Sequence, residues 1–255
     1  MKIKIALSSF LLTVCLSGCG ATLTAKDGTK MPVSVSEYRA YRDKPAPTVL
    51  ISHGSDGVQK HHVEWAKEIQ SWGFNAVVID HYSLRGISMH IGIVLPNMRG
   101  EHRARDIVEA GRWAKSQTWH KGKISVIGFS QGGSGVMALV NGKDREYNKI
   151  LLKGEEMPID SAVAFYPGCS ISFPPLTPSM PVQVHLAGED TLAFTSYCEP
   201  LTDKNYTVHR YNNATHAFDV YLGSFKPKFY HRYDPNITAV AKKNTRDFLV
   251  KNLKE

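Results

Sequence analysis

The stretch Ile124-Ser-Val-Ile-Gly-Phe-Ser130-Gln-Gly-Gly133 decides the fold. An apolar, β-type run enters a Gly-x-Ser-x-Gly turn, Gly128 to Gly132, and Val136 to Val140 continues as a helix-compatible segment. A strand, a sharp turn around a serine and a helix together make a nucleophile elbow. The corner is strained so that the hydroxyl projects, and the flanking glycines let backbones pass where a Cβ would clash. Five residues are a common pattern, so the rest of the chain has to supply the context.

Outward from the elbow, β-type runs alternate with amphipathic helical ones. Thr48 to Ser52 and Asn75 to Asp80 read as strands before it. Ser161 to Tyr166, Val182 to Ala187 and Tyr206 to Tyr211 read as strands after it. Trp65, Ala66, Ile69 and Trp72 share one helix face, and Ile237, Val240, Ala241 and Phe248 anchor a last helix. Ala104, Ile107, Val108, Gly111 and Ala114 repeat at three and four along another helix, whose outer face is expected to carry Arg103, Asp106, Glu109 and Arg112. Near the start, Ala21 to Ala25 and Met31 to Tyr38 flank Asp27-Gly28 and predict an antiparallel hairpin. Continuous apolar strands separated by helices predict an α/β fold, a mostly parallel sheet covered on both faces. No internal repeat or low-complexity linker interrupts the pattern, so one domain is expected over 19–255.

The first residues stand apart. Met1-Lys-Ile-Lys4 is a basic n-region, Ile5 to Val14 an apolar run too short to span a bilayer, and Leu16-Ser-Gly-Cys19 a small-residue site. That site resembles a bacterial lipobox, which makes 1–18 a signal peptide and Cys19 the lipidated first residue of the mature chain; an ordinary cleaved signal is the alternative. The expected location is the cell envelope, with the domain in the periplasm or at the cell surface, held to a membrane by its lipid. Removing Cys15 and Cys19 from the count of four leaves Cys169 and Cys198, a candidate disulfide outside the cytosol. The formal charge of +8 includes Lys2 and Lys4, and the remaining basic residues are scattered among Asp and Glu. No basic stripe suggests nucleic-acid binding.

A serine hydroxyl needs an imidazole to take its proton, and the imidazole needs an acid to fix its tautomer. After an elbow these are expected in the order serine, acid, histidine, each beyond a later strand. Val182-Gln-Val-His-Leu-Ala-Gly188-Glu-Asp190 runs from a strand into an acidic turn, and Asn212-Asn-Ala-Thr-His216 follows the next strand. Ser130, Asp190 and His216 are therefore the candidate triad, with Glu189 as the alternative acid. Loops at the carboxyl ends of parallel strands share one edge of the sheet, which lets the three converge. An oxyanion hole needs two backbone N–H donors. Gln131, opening the helix, supplies one; the other falls to Ser55, or alternatively Gly54, in His53-Gly-Ser-Asp-Gly57. His53 itself is expected to be structural, hydrogen-bonded beneath the site.

Seven short stretches, in common order over roughly residues 21–253, resemble the dienelactone hydrolase family of the α/β-hydrolase superfamily. They are Leu50-Ile-Ser-His-Gly54, Asp80-His-Tyr-Ser-Leu-Arg85-Gly86, Arg103-Ala-Arg-Asp106, Gly128 to Gly133, Phe165-Tyr-Pro-Gly-Cys169, Ala187-Gly-Glu-Asp190 and Ala214-Thr-His216-Ala-Phe-Asp219. The resemblance implies an α/β-hydrolase fold and hydrolysis of a carboxylic ester or lactone without a cofactor. Ser130 stands where the best-known members carry cysteine, so this chain is similar to the serine-bearing relatives. Asp190-Thr-Leu-Ala-Phe194 also lacks the Pro or Trp those relatives often carry. Arg85 matches a family Arg-Gly beyond the second strand, where it would bind a substrate carboxylate or, alternatively, brace its own loop through backbone carbonyls.

Other chemistries have less support. Adjacent on a helix, His61 and His62 are expected to point in different directions, and no metal-ligand spacing is present, so no metal is expected. Phe225 to Tyr233, with Lys226, Lys228 and Arg232, reads as a pocket cap, a membrane-facing surface or an ordinary loop. A peptidase or thioesterase on the same fold, or a non-catalytic lipid-anchored scaffold, are the rival functions.

Overall fold

A computed structural model describes residues 20–25, 28–88, 100–140, 152, 156–169, 178–193, 195–198, 201–221 and 231–254. Residues 1–19, with Cys19 and the signal, lie outside this set, as do Asp27 of the predicted turn and 222–230 of the aromatic segment.

Eight strands form one sheet: β1 (Ala21–Thr24), β2 (Lys30–Tyr38), β3 (Ala46–Ser52), β4 (Asn75–Asp80), β5 (His120–Phe129), β6 (Ser161–Phe165), β7 (Val182–Ala187) and β8 (Tyr206–Tyr211). Their spatial order is β1-β2-β4-β3-β5-β6-β7-β8. β1 and β2 form the expected hairpin and add antiparallel to β4; every later pairing is parallel. Among the described residues four α-helices cover the faces: α1 (Lys60–Ser71), α2 (Gly100–Lys115), α3 (Gln131–Val140) and α4 (Pro235–Leu253). This is the mostly parallel α/β fold read from the sequence.

The residues explain the layers. β5, β6 and β7 are buried on both sides over Ile124–Phe129, Ser161–Phe165 and Val182–Ala187; β5 and β6 are largely apolar there, and the polar Gln183 and His185 of β7 are hydrogen-bonded to each other. Successive side chains point to opposite faces. Ile127, Phe129 and Val163 meet Trp65, Ala66 and Ile69 of α1 and Ala241 and Leu249 of α4. Val126, Ala162 and Ala164 meet Ile107 and Val108 of α2 and Val136 and Leu139 of α3. Each Val, Leu, Ile or Phe side chain among these contributes roughly 1.5–3 kcal/mol by leaving water. α4 starts where its sequence says it should: the Asp234 carboxylate accepts the Asn236 and Ile237 N–H groups at 3.0 and 2.9 Å, and Pro235 takes the first helical position.

Two expectations need correcting. Val240 does not anchor α4; it is 51% exposed. Nor is the polar stripe of α2 an outer face. Arg103 and Asp106 are fully buried and Glu109 is 7% exposed. Arg103 and Asp106 turn toward the loops at the carboxyl edge of the sheet, where they meet the His53 carbonyl and His81, while Glu109 pairs with Arg112 at 2.6 Å.

The chain runs from β3 out to β4 and then returns to β5 on the other side of β3. Loops leaving β3 and β5 therefore diverge, opening a crevice at the carboxyl edge, the usual place for a site in such sheets.

Candidate active site

Ser130 sits alone between the end of β5 and the start of α3, with a φ of 52°. That left-handed backbone costs a residue with a Cβ about 1–3 kcal/mol and persists only where its surroundings hold it. Its N–H donates to the Phe165 carbonyl at 3.0 Å, and its carbonyl accepts the Ser134 N–H at 2.9 Å. A Cβ on Gly128 would stand 2.3 Å from the Gly132 carbonyl oxygen, and one on Gly132 would stand 2.2 Å from that of Ser52. The elbow is thus wedged against the end of β3, and only glycines allow it.

Asp190 lies in the turn after β7 and His216 in the loop after β8. His216 Nε2 is 2.8 Å from Ser130 Oγ, and Nδ1 is 2.7 Å from Asp190 Oδ2. A carboxylate at Nδ1 keeps the ring proton there, leaving Nε2 to accept from the serine hydroxyl. The other Asp190 oxygen accepts the Leu192 and Ala193 N–H groups at 2.8 and 2.9 Å, which fixes the carboxylate plane. Burial pushes the Asp190 carboxyl up, but the His216 hydrogen bond and charge and the two N–H donors outweigh it. The net pKa lies below the ordinary carboxyl range, so Asp190 is ionised at neutral pH. Glu189, the alternative acid, points to the surface and pairs with Arg232 at 3.0 Å.

Tyr166 backs the imidazole. Its ring meets that of His216 edge-on with centroids 4.8 Å apart, and its hydroxyl donates to Asp219 Oδ1 at 2.7 Å. Trp65 Nε1 donates to the other Asp219 oxygen at 2.8 Å. Burial and then the Asp219 charge raise the Tyr166 pKa, so the phenol remains a neutral donor.

Ser55 and Gly54 follow β3 and pass beside the elbow: a Cβ on Gly54 would lie 3.4 Å from Ser130 Cβ. Gln131 opens α3, and the N–H groups of a first helical turn point out of its N-terminus. His53 lies beneath them, fully buried, with Nδ1 2.6 Å from the Gly54 carbonyl and Nε2 accepting the His81 N–H at 3.1 Å. One donor and one acceptor describe a neutral ring; burial, then the charge of Arg103, hold its pKa well below 6.5.

Arg85 spends three of its five N–H donors inside the protein. Its Nη1 and Nη2 donate to the two oxygens of Asp106 at 2.8 and 2.9 Å, and Nη1 also donates to the His81 carbonyl at 2.6 Å. The planar guanidinium matches the buried carboxylate two-to-two, so the substrate-binding expectation gives way to the loop-bracing alternative. Cys169 and Cys198 form a disulfide, which ties the loop after β6 to the segment that follows Asp190.

One set of residues escaped the sequence reading. Arg103 donates from Nη1 to the His53 carbonyl at 2.6 Å. From Nη2 it reaches the Gly54 carbonyl at 3.2 Å, the Tyr82 hydroxyl at 3.0 Å and Gln131 Oε1 at 2.7 Å. The Tyr82 hydroxyl in turn donates to Gln131 Oε1 at 2.7 Å. These partners are 21 to 50 residues away in the chain, so no local spacing announces them.

The geometry can be set beside known proteins. A putative dienelactone hydrolase from Klebsiella pneumoniae superposes with a TM-score of 0.70 at 14% identity, covering 92% of this chain and 98% of that one. A dienelactone hydrolase-like promiscuous phosphotriesterase from metagenomic libraries gives 0.67 at 18% identity over 93% and 99%. Est1E from Butyrivibrio proteoclasticus gives 0.61 at 13% identity over 94% and 100%. Identities this low establish a shared fold alone. No curated protein matches in sequence. The model of the dienelactone hydrolase family, however, matches residues 35–252, most of the chain. On that match the chain belongs to the dienelactone hydrolase family.

Proposed function

We propose that the protein is a serine hydrolase of carboxylic esters or lactones, acting through Ser130, His216 and Asp190. The observation that carries this reading is the continuous hydrogen-bonded line from Ser130 Oγ through both nitrogens of His216 to Asp190 Oδ2, at 2.8 and 2.7 Å. Family membership and the elbow backbone support it.

In this account His216 Nε2 takes the Ser130 proton as Oγ attacks the substrate carbonyl. The N–H groups of Gln131 and Ser55 receive the developing oxyanion, and Asp190 stabilises the imidazolium. His216 then gives the proton to the leaving alcohol, and an acyl-enzyme remains. Water, deprotonated by the same imidazole, attacks the acyl carbon and releases the acid. No cofactor is required.

The reading includes export. Residues 1–18 would be a lipoprotein signal and Cys19 the lipid-bearing start of a single domain, 19–255, which places the hydrolase at a membrane of the cell envelope. The Cys169–Cys198 disulfide supports an oxidising compartment. Globomycin treatment or Cys19→Ala should release the protein from membranes; unchanged membrane association would contradict the anchor.

The test of the activity is turnover of short-chain p-nitrophenyl esters, with amides and thioesters as comparison substrates. Ser130→Ala is expected to lower kcat by roughly five to six powers of ten while leaving the fold intact. Retention of most activity would reject the mechanism, and faster amide or thioester turnover would move the substrate class.

A further inference from the structure

We propose that Arg103, which lies too deep to touch substrate, is the positioning residue that aims the oxyanion hole. The inference rests on the hydrolase reading above and deepens it.

The Gly54 carbonyl and the Ser55 N–H are the two ends of one peptide unit, and in a trans peptide they point in opposite directions. Fixing the carbonyl therefore aims the amide. Arg103 Nη2 lies 3.2 Å from the Gly54 oxygen and His53 Nδ1 lies 2.6 Å from it. Both donors are buried, so the carbonyl faces the interior and the Ser55 N–H leaves on the other side of the peptide. Gly54 passes against Ser130, with a would-be Cβ 3.4 Å from the serine Cβ, so this peptide borders the reacting atoms.

The same guanidinium reaches the second donor. Arg103 Nη2 and the Tyr82 hydroxyl both hold Gln131 Oε1, at 2.7 Å each. The Gln131 side chain is thereby drawn toward the interior. Arg103 Nη1 also holds the His53 carbonyl, one peptide earlier, at 2.6 Å. One rigid fork thus ties the loop after β3 to the start of α3, the two segments whose N–H groups must converge. The positive charge adds to this effect: a cation on a carbonyl polarises the peptide and strengthens its N–H as a donor. Burial lowers the Arg103 pKa, but an arginine keeps its proton in a protein. Lysine cannot replace it, because an ammonium offers a point charge without the planar fork.

The test compares Arg103→Met and Arg103→Lys with the unaltered protein, scoring kcat per active serine after titration with a fluorophosphonate. Affinity for a trifluoromethyl ketone, which forms a tetrahedral oxyanion adduct, is the second readout. Arg103→Met is expected to lose on the order of 100-fold in kcat, as for removal of one oxyanion donor, with a parallel loss of ketone affinity and little change in KM. Arg103→Lys should lose at least about tenfold in both. A merely structural arginine would lower the titratable fraction and leave kcat per active serine and ketone affinity unchanged; that result overturns the proposal. If Arg103→Met does not fold, Arg103→Lys decides alone, and full wild-type values in it overturn the proposal. Absence of any Ser130 adduct in the unaltered protein would instead remove the hydrolase reading itself.

Discussion

His81 Nδ1 lies 2.7 Å from Asp106 Oδ2, and neither side chain has any exposed surface. The His81 Nε2 is 2.9 Å from the buried Ser52 hydroxyl. This second serine–histidine–aspartate line resembles the first in composition but has no access to substrate. It braces the ends of β3 and β4, and Arg85 closes it from outside by gripping the same carboxylate.

That arrangement sets a pH dependence of stability. Burial, followed by the charge of Arg103, lowers the His81 pKa from 6.5 to about 4. Burial also holds His53, His62 and His185 well below 6.5. Between those limits the unfolded chain binds protons that the folded chain refuses, so stability falls as pH falls from 6.5 towards 4. Each such histidine contributes a slope of up to about 1.4 kcal/mol per pH unit. Urea midpoints should change little from pH 7.5 to about 6.5 and then drop towards pH 5; a flat or rising profile below pH 6.5 would contradict the neutral-histidine core.

Arg85→Ala should act on stability instead of substrate choice. It leaves the Asp106 carboxylate buried with one partner fewer, at a cost of about 3 kcal/mol. KM for acidic and neutral esters should change by the same factor. A selective rise for acidic esters, with an unchanged urea midpoint, would restore Arg85 to the binding site.

Asp190→Asn should lower kcat by roughly four powers of ten, because the amide no longer selects the Nδ1–H tautomer; that magnitude is the one measured for the equivalent change in a serine protease. Glu189→Gln removes only a surface ion pair, worth at most about 1 kcal/mol, and should leave kcat near that of the unaltered protein. Kinetics of both variants against one ester decide; the reverse ranking would make Glu189 the acid.

Reduction of Cys169–Cys198 releases a closed loop with a sequence separation of 29, for which chain entropy gives about 3.5 kcal/mol. Unfolding with and without reductant measures it. Identical midpoints, with both thiols verified free, would show that the bond contributes nothing to stability.

The contrast between Ser130 and Arg103 shows what a sequence can disclose. Ser130 is announced by neighbours at fixed offsets, because an elbow forces glycine at particular places and a strand and helix on either side. Asp190 and His216 are announced by chain order, since only strand-end loops reach the same rim. The inner strands could be placed from their largely apolar, β-branched runs, because a doubly covered strand leaves room only for polar residues that find partners, as Gln183 and His185 do in β7. Arg103 and Asp106 carry no such mark. Their charge suits a solvated helix face equally well, and only the positions of the Gly54 and His53 carbonyls and of His81 turn them inward. The two readings of Arg85 stayed open for the same reason: its partner Asp106 is 21 residues away on a helix that reads as exposed.

The most direct test of the central claim is residue-level mapping of the adduct formed by a fluorophosphonate probe on the full-length folded protein. The account predicts one equivalent of label, on Ser130 alone, with labelling abolished in Ser130→Ala and greatly slowed in His216→Ala. An ester-hydrolysing preparation that carries no label at Ser130, or that labels equally fast without the His216 imidazole, would contradict it.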